Sequence, residues 1–346
     1  MKLRNTFFIM LAAFGIVAVS CQNKGTVTLS GAGATFPQPF YLMTFKSYFE
    51  ATNNTVSYGG IGSGGGIKSL KESIVDFAGT DAFLTDEEMI DMPSVIHIPT
   101  CMGAVVLAYN IEGVTNLKLT GDLIAKIYAG QIKYWDDEQL KAVNEGVNLP
   151  HKEIAPIYRS DGSGTTFVFT DYLSKVNSDW KEKYGGDKSV SFPAGFAAKG
   201  NPGVAGVLSQ TDGSIGYIGS EYAFAQQLNF ASIQNANGEF VTPSSSSISI
   251  AADTDIPADS RCMITNSPEP GAYPISLFTW IIVYEELNNG KRTEADAEAL
   301  KSLLRYMLSD EVQASTEKVH YAPIPASVKE QALKNIDRMV YTNKES

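Results

Sequence analysis

The chain has 346 residues, 44% of them hydrophobic and 19% charged, with a formal net charge of −11. That length favours two domains over one, and the acidic balance argues against nucleic acid as a partner. The three histidines and three cysteines show no metal-ligand spacing, which argues against a metal centre.

Taken in chain order, residues 1–20 read as a targeting segment. Lys2 and Arg4 precede an apolar stretch from Phe7 to Val19, and Ala18-Val19-Ser20-Cys21 resembles a lipoprotein processing site. The stretch is short for a membrane span. Cys21 would then carry the lipid, with 21–25 as a tether. Loss of 1–20 removes Lys2 and Arg4 and no acid, taking the charge from −11 to −13. In an oxidising compartment Cys101 and Cys262 either form a disulfide or sit apart as small apolar residues.

From Thr26 onward, short β-rich runs alternate with helical patterns. Strands are predicted over 26–30, 55–58, 75–78, 104–109, 154–158, 214–218 and 275–284. Pro156 predicts an edge position or a strand end for the fifth of these. Helices are predicted near 37–51, from Ile67 to Ile74, after Thr120, after Ser220, and along the stripe Leu300, Leu303, Leu304, Met307 and Leu308. Thr85 with Glu88, and Ser327 with Glu330, have the spacing of capping boxes. Residues 234–260, rich in Ser, Asn, Asp and Ala, read as a variable edge region. The alternation predicts an α/β architecture with largely parallel sheets, whose ligands bind in strand-to-helix loops.

Three such loops carry related chemistry. In the first, Thr35 can cap the next helix while the Phe36 amide stays free for an anion. In the second, Ser63 stands among glycines at a helix start. The third runs Arg159-Ser160-Asp161-Gly162-Ser163-Gly164-Thr165, where Ser163 and Thr165 offer hydroxyls, Arg159 a charged fork, and Asp161 a group to hold that fork. Each loop alone is also an ordinary helix start; together they point to a small tetrahedral oxyanion. Gly60-x-Gly62-x-x-Gly65, followed by Asp81, imitates a dinucleotide fingerprint, but a lone match is weak. Asp81 either caps the Thr85 region or faces the anion. Facing the anion, it accepts a proton from phosphate and rejects sulfate, which has none to give.

The runs 31–37, 60–63, 75–81, 132–137 and 159–165, with Lys199-Gly200-Asn201 and 213–217, resemble the phosphate-binding protein of the high-affinity phosphate ABC transporter. The resemblance implies a type II periplasmic-binding-protein fold of two α/β lobes joined by a hinge, with 26–104 and 271–346 in one lobe and 105–270 in the other. It implies phosphate held by Thr35, the Phe36 amide, Ser63 and Asp81 from the first lobe. Arg159, Ser163, Gly164 and Thr165 would hold it from the second, with Asp161 orienting Arg159. The sequence departs from the family at Gly64, where a serine is frequent, and at Tyr158, where a second arginine occurs. The implied partners are inorganic phosphate, an inner-membrane ABC permease and, through Cys21, the membrane on its periplasmic side, for a monomer without cofactor or catalysis. A binding protein for another oxyanion, a secreted serine hydrolase using Ser63 or Ser163, and an adhesion or signalling lipoprotein remain as rivals.

Overall fold

The computed structural model describes residues 26–288 and 292–343, so the targeting segment and Cys21 lie outside the described residues. Among the described residues twelve strands are formed: β1 Thr28–Gly33, β2 Thr55–Gly60, β3 Phe77–Thr80, β4 Val95–Asn110, β5 Lys118–Leu119, β6 Ala155–Arg159, β7 Phe196–Ala198, β8 Ser214–Gly219, β9 Asn229–Phe230, β10 Ser232–Gln234, β11 Phe240–Val241 and β12 Ser276–Tyr284. The main sheet runs β2-β1-β3-β12-β4-β8-β6-β7, with β9 also on β4.

Two long strands explain the two-lobed shape. Sixteen-residue β4 is buried along nearly its whole length, and so is β12, the pattern of strands covered on both faces. The first part of β4, to Ala104, pairs with β12; from Val105 it pairs with β8. One continuous strand therefore passes from one lobe into the other. Aromatic rings fill both lobes, within one continuous hydrophobic core. In the first, Phe45 of the helix Gln38–Thr52 packs on Tyr41 and on Phe77; in the second, the rings of Tyr128, Phe169 and Tyr217 pack on one another. Rings of this size dominate core energetics.

The α/β architecture is as expected, but the sheet is mixed rather than largely parallel. The pairs β1–β2, β1–β3, β6–β7 and β6–β8 are parallel. Strand β12 returns from far along the chain and inserts antiparallel between β3 and β4. Strand β6 is not an edge strand. Pro156 is tolerated because it lies near the strand start, where only β8 flanks it and β7 pairing begins at Ile157. The 234–260 region is not wholly irregular: it contributes β11 to a small sheet, β11-β10-β5, and the helix Ser245–Ile250.

The Thr85–Glu88 capping box and the Thr120 cap form as expected. Three others do not. Thr35 lies two residues before the N-cap Pro37 and makes no cap bond. Ser220 and Ser327 are already inside their helices, which begin at Ser220 and Ala326. Cys101 and Cys262 are both free thiols. No helix among the described residues is long and apolar enough to cross a membrane.

Candidate functional site

The predicted loops sit at the carboxyl ends of β1, β2, β3 and β6, and the lobes are closed so that all of them meet. On the first lobe, the helix Ser63–Lys71 is seated directly on the end of β1. A Cβ on Gly66 would run into the backbone of Gly33, so only glycine permits that approach. This aims the helix start, with Ser63, at the cleft. Asp81 follows β3 at once and is 1% exposed. Thr35 and Phe36 follow β1, both buried, and neither amide finds a hydrogen-bond acceptor among the described residues.

On the second lobe, Arg159 ends β6 and Ser163 caps the helix Gly164–Val176, its Oγ accepting from the Thr166 amide at 3.0 Å. The Arg159 side chain is 1% exposed. Its Nε donates to Asp161 Oδ1 at 2.8 Å and its Nη2 to Oδ2 at 2.5 Å, a bidentate fork. The Gly200 amide also donates to Asp161 Oδ1, at 3.0 Å. Burial pushes the Asp161 carboxyl up, but the Arg159 hydrogen bonds and charge outweigh it and hold it below its ordinary value. The guanidinium is thus locked in plane, with Nη1 left towards Thr165 at 3.5 Å.

The lobes touch through these same groups. Ser63 Oγ accepts from the Gly164 amide at 3.1 Å and from the Asp81 amide at 3.4 Å. The Gly64 amide donates to Gly162 O at 2.9 Å. Thr165 Oγ1 donates to Asp81 Oδ2 at 3.2 Å, while Thr279 Oγ1 donates to Oδ1 at 3.0 Å. Asp81 is therefore no cap for the Thr85 helix. Its burial lifts the carboxyl to about 7, against the opposing pull of Thr279, Arg159 and Thr165. Near neutrality it is poised between accepting and donating a proton.

All eight predicted ligand residues are brought together and buried, with Asp161 half-buried beside Arg159. Sequence reasoning missed three neighbours. Asn201, fully buried, donates from its backbone N to Thr35 Oγ1 at 3.0 Å and from Nδ2 to both Thr35 Oγ1 and Thr165 Oγ1, at 3.1 and 3.2 Å. Tyr222 OH donates to Thr35 O at 2.5 Å. Thr279 supports Asp81 from β12. The only available signal was the run 199–201, which carried part of the resemblance without suggesting a role. No cluster of three or more metal-ligating side chains occurs among the described residues.

Comparison with known proteins agrees with this architecture. Residues 19–311 match the model of a PBP superfamily domain. A phosphate-binding protein PstS from Xylella fastidiosa is 36% identical over 90% of this chain and 85% of its own length. The PstS of Haemophilus influenzae is 38% identical over 87% of this chain and 90% of its own. Among solved structures, a high-affinity periplasmic phosphate-binding protein bound with phosphate superposes with a TM-score of 0.70 at 21% identity, covering 88% of this chain and 92% of that one. A phosphate-binding protein from Stenotrophomonas maltophilia gives 0.66 at 17%, covering 89% and 94%. The structures support the fold; the sequence relatives establish kinship. The chain belongs to the PBP superfamily and, within it, to the PstS family of phosphate-binding proteins.

Proposed function

We propose that this protein captures inorganic phosphate between its two lobes and delivers it to an ABC-type importer. The observation that carries the reading is the buried meeting of donors from both lobes around one acid: Thr35, the Phe36 amide and Ser63 with Asp81 on one side, Arg159, Ser163, Gly164 and Thr165 on the other. A tetrahedral anion presents acceptors in all directions, and donors from two bodies surround it only when those bodies close. Closure removes water and strengthens each charge-assisted hydrogen bond. The names of the sequence relatives point the same way.

Asp81 supplies the selectivity. Above its pKa of about 7 the carboxylate accepts the proton that phosphate carries, whereas sulfate meets an unpaired negative charge. Catalysis has no support in the site: Ser63 Oγ and Ser163 Oγ bond to backbone amides, and His97 Nε2 is occupied as acceptor for the Leu84 amide. We divide the chain into 26–104 with 271–346 and 105–270, in keeping with the change of β4 partner between Ala104 and Val105. Within the second stretch, Ser260 and Arg261 lie against His97 and Asp86 of the first lobe, as a strap. Cys21 is the proposed lipid anchor, holding a monomer on the periplasmic side within reach of the permease. Calorimetric titration of the phosphate-stripped chain starting after Cys21, first with phosphate and then with sulfate at about pH 9, well above the Asp81 titration, tests the reading. One-to-one phosphate binding without sulfate heat is expected. Binding of both ions overturns the Asp81 gate, and binding of neither overturns the function.

A further inference from the structure

We propose that Asn201 is a positioning residue that sets the proton direction of two ligand hydroxyls, Thr35 on the first lobe and Thr165 on the second. The inference rests on the phosphate reading of the site and adds a residue to it.

The amide of Asn201 has one possible orientation. The Gly219 backbone N–H donates to it at 3.0 Å, so the oxygen must face Gly219 and the nitrogen must face the two threonines. Each hydrogen of Nδ2 then has an acceptor, Thr35 Oγ1 at 3.1 Å and Thr165 Oγ1 at 3.2 Å. The backbone N–H of Asn201 also donates to Thr35 Oγ1, at 3.0 Å. A hydroxyl has two acceptor positions and one proton. Both acceptor positions of Thr35 are filled by Asn201, so its proton has to point away, as a donor. Thr165 Oγ1 is filled in the same way by Asn201 Nδ2 and Arg159 Nη1, and its proton goes to Asp81 Oδ2 at 3.2 Å. Without these fixed donors the Thr35 hydroxyl could turn a lone pair towards an anion, and the Thr165 hydroxyl could turn one towards the Asp81 carboxylate, where each would repel.

The contact to Thr35 crosses between the lobes, 166 residues along the chain, so the first lobe's hydroxyl is set only on closure. Tyr222, also from the second lobe, reinforces this. Its OH donates to Thr35 O at 2.5 Å, on the peptide whose N–H belongs to Phe36. A hydrogen bond at the carbonyl holds that peptide and strengthens its N–H as a donor.

The test is a coupling measurement on the phosphate-stripped chain, with phosphate affinity by calorimetry and ligand-free melting temperature as a fold check. Asn201→Leu is expected to weaken phosphate binding about 30-fold, within the range of charge-assisted bonds. In a Thr35→Val background the same change should cost at least about fivefold less, because the hydroxyl it directs is gone. In a Ser63→Ala background its cost should be undiminished, since Asn201 does not touch Ser63. Asn201→Ala serves if Asn201→Leu does not fold. Affinity within about threefold of the parent for both Asn201 variants, or equal costs in all three backgrounds, overturns the inference alone. Parent-like affinity for Thr35→Val overturns the placement of phosphate at this loop, and the inference with it.

Discussion

Gly164 offers the sharpest test of closure. It opens the helix Gly164–Val176 and is not among the glycines with positive φ, so alanine suits its own backbone. The three nearest obstructions all lie on the other lobe. A Cβ on Gly164 would stand 2.6 Å from Ser63 Oγ, 2.7 Å from the Asp81 amide and 2.8 Å from Asp81 Cβ, where ordinary contact begins at 3.4 Å. The lobes would have to part by about 0.6–0.8 Å at this point. A charge-assisted hydrogen bond near 2.8 Å, stretched by that much, falls outside hydrogen-bond geometry. Losing two such bonds at about 1.5–3 kcal/mol each predicts a loss of roughly two to four decades in phosphate affinity for Gly164→Ala. The ligand-free melting temperature should hold or rise, and small-angle scattering should find the variant open at phosphate concentrations that close the parent. Affinity within tenfold of the parent would refute the reasoning, because it would mean the ion is not gripped between Ser63 and the helix start.

Further outcomes follow from neighbouring groups. Because the carboxyl titrates at about 7, sulfate binding in the parent should weaken roughly tenfold per pH unit above 7 while phosphate, which brings its own proton, changes little; Asp81→Asn should abolish that slope, and parallel slopes for both ions would refute the gate. Lys188 Nζ pairs with Glu88 Oε1 at 2.5 Å across the lobes, partly exposed. Glu88→Gln should therefore speed phosphate release about two- to fivefold in stopped flow, less at high salt, and an unchanged rate at low salt would exclude a latch. Glu221 is buried with both carboxylate oxygens unpartnered among the described residues, and burial raises its pKa well above the ordinary 4.5. The folded state then holds a proton the unfolded chain has lost, so stability falls as pH rises above about 4.5. Glu221→Gln should melt higher than the parent, by a margin that widens with pH; a constant margin would refute the assignment.

How far the site could be read from the sequence depended on how local each signal is. The Arg159–Thr165 loop was legible because a glycine-and-hydroxyl turn before an apolar helical pattern has a local meaning: free amides at a helix start. Ser163 duly caps that helix. Thr35 misled in the opposite way. Its spacing suggested a cap, but Pro37 takes the N-cap position and leaves the hydroxyl for Asn201. Asn201, Tyr222 and Thr279 carried no local signal, since each acts on a partner 166 to 198 residues away. The same reason hid the antiparallel place of β12. Alternation of strands and helices predicts parallel neighbours, but it cannot announce that a strand near residue 280 will insert between β3 and β4.

The charge at the site also answers the objection that a protein of net charge −11 should repel an anion. The Arg159 charge is matched by Asp161, held in a two-point fork, so that pair contributes direction more than net charge. Asp81, titrating at about 7, is close to half neutral at physiological pH. What remains for the anion is a set of oriented dipoles: the Phe36 amide, which finds no acceptor among the described residues, and the hydroxyls of Thr35 and Ser63, whose lone pairs are already occupied. Dipoles act within hydrogen-bond reach and are little affected by charges a Debye length away, about 8–10 Å at ordinary ionic strength. The acidic exterior therefore acts on the rate of encounter and leaves the grip to the closed site. Added salt should then raise the association rate of phosphate more than it changes the dissociation rate, the Glu88–Lys188 contribution aside.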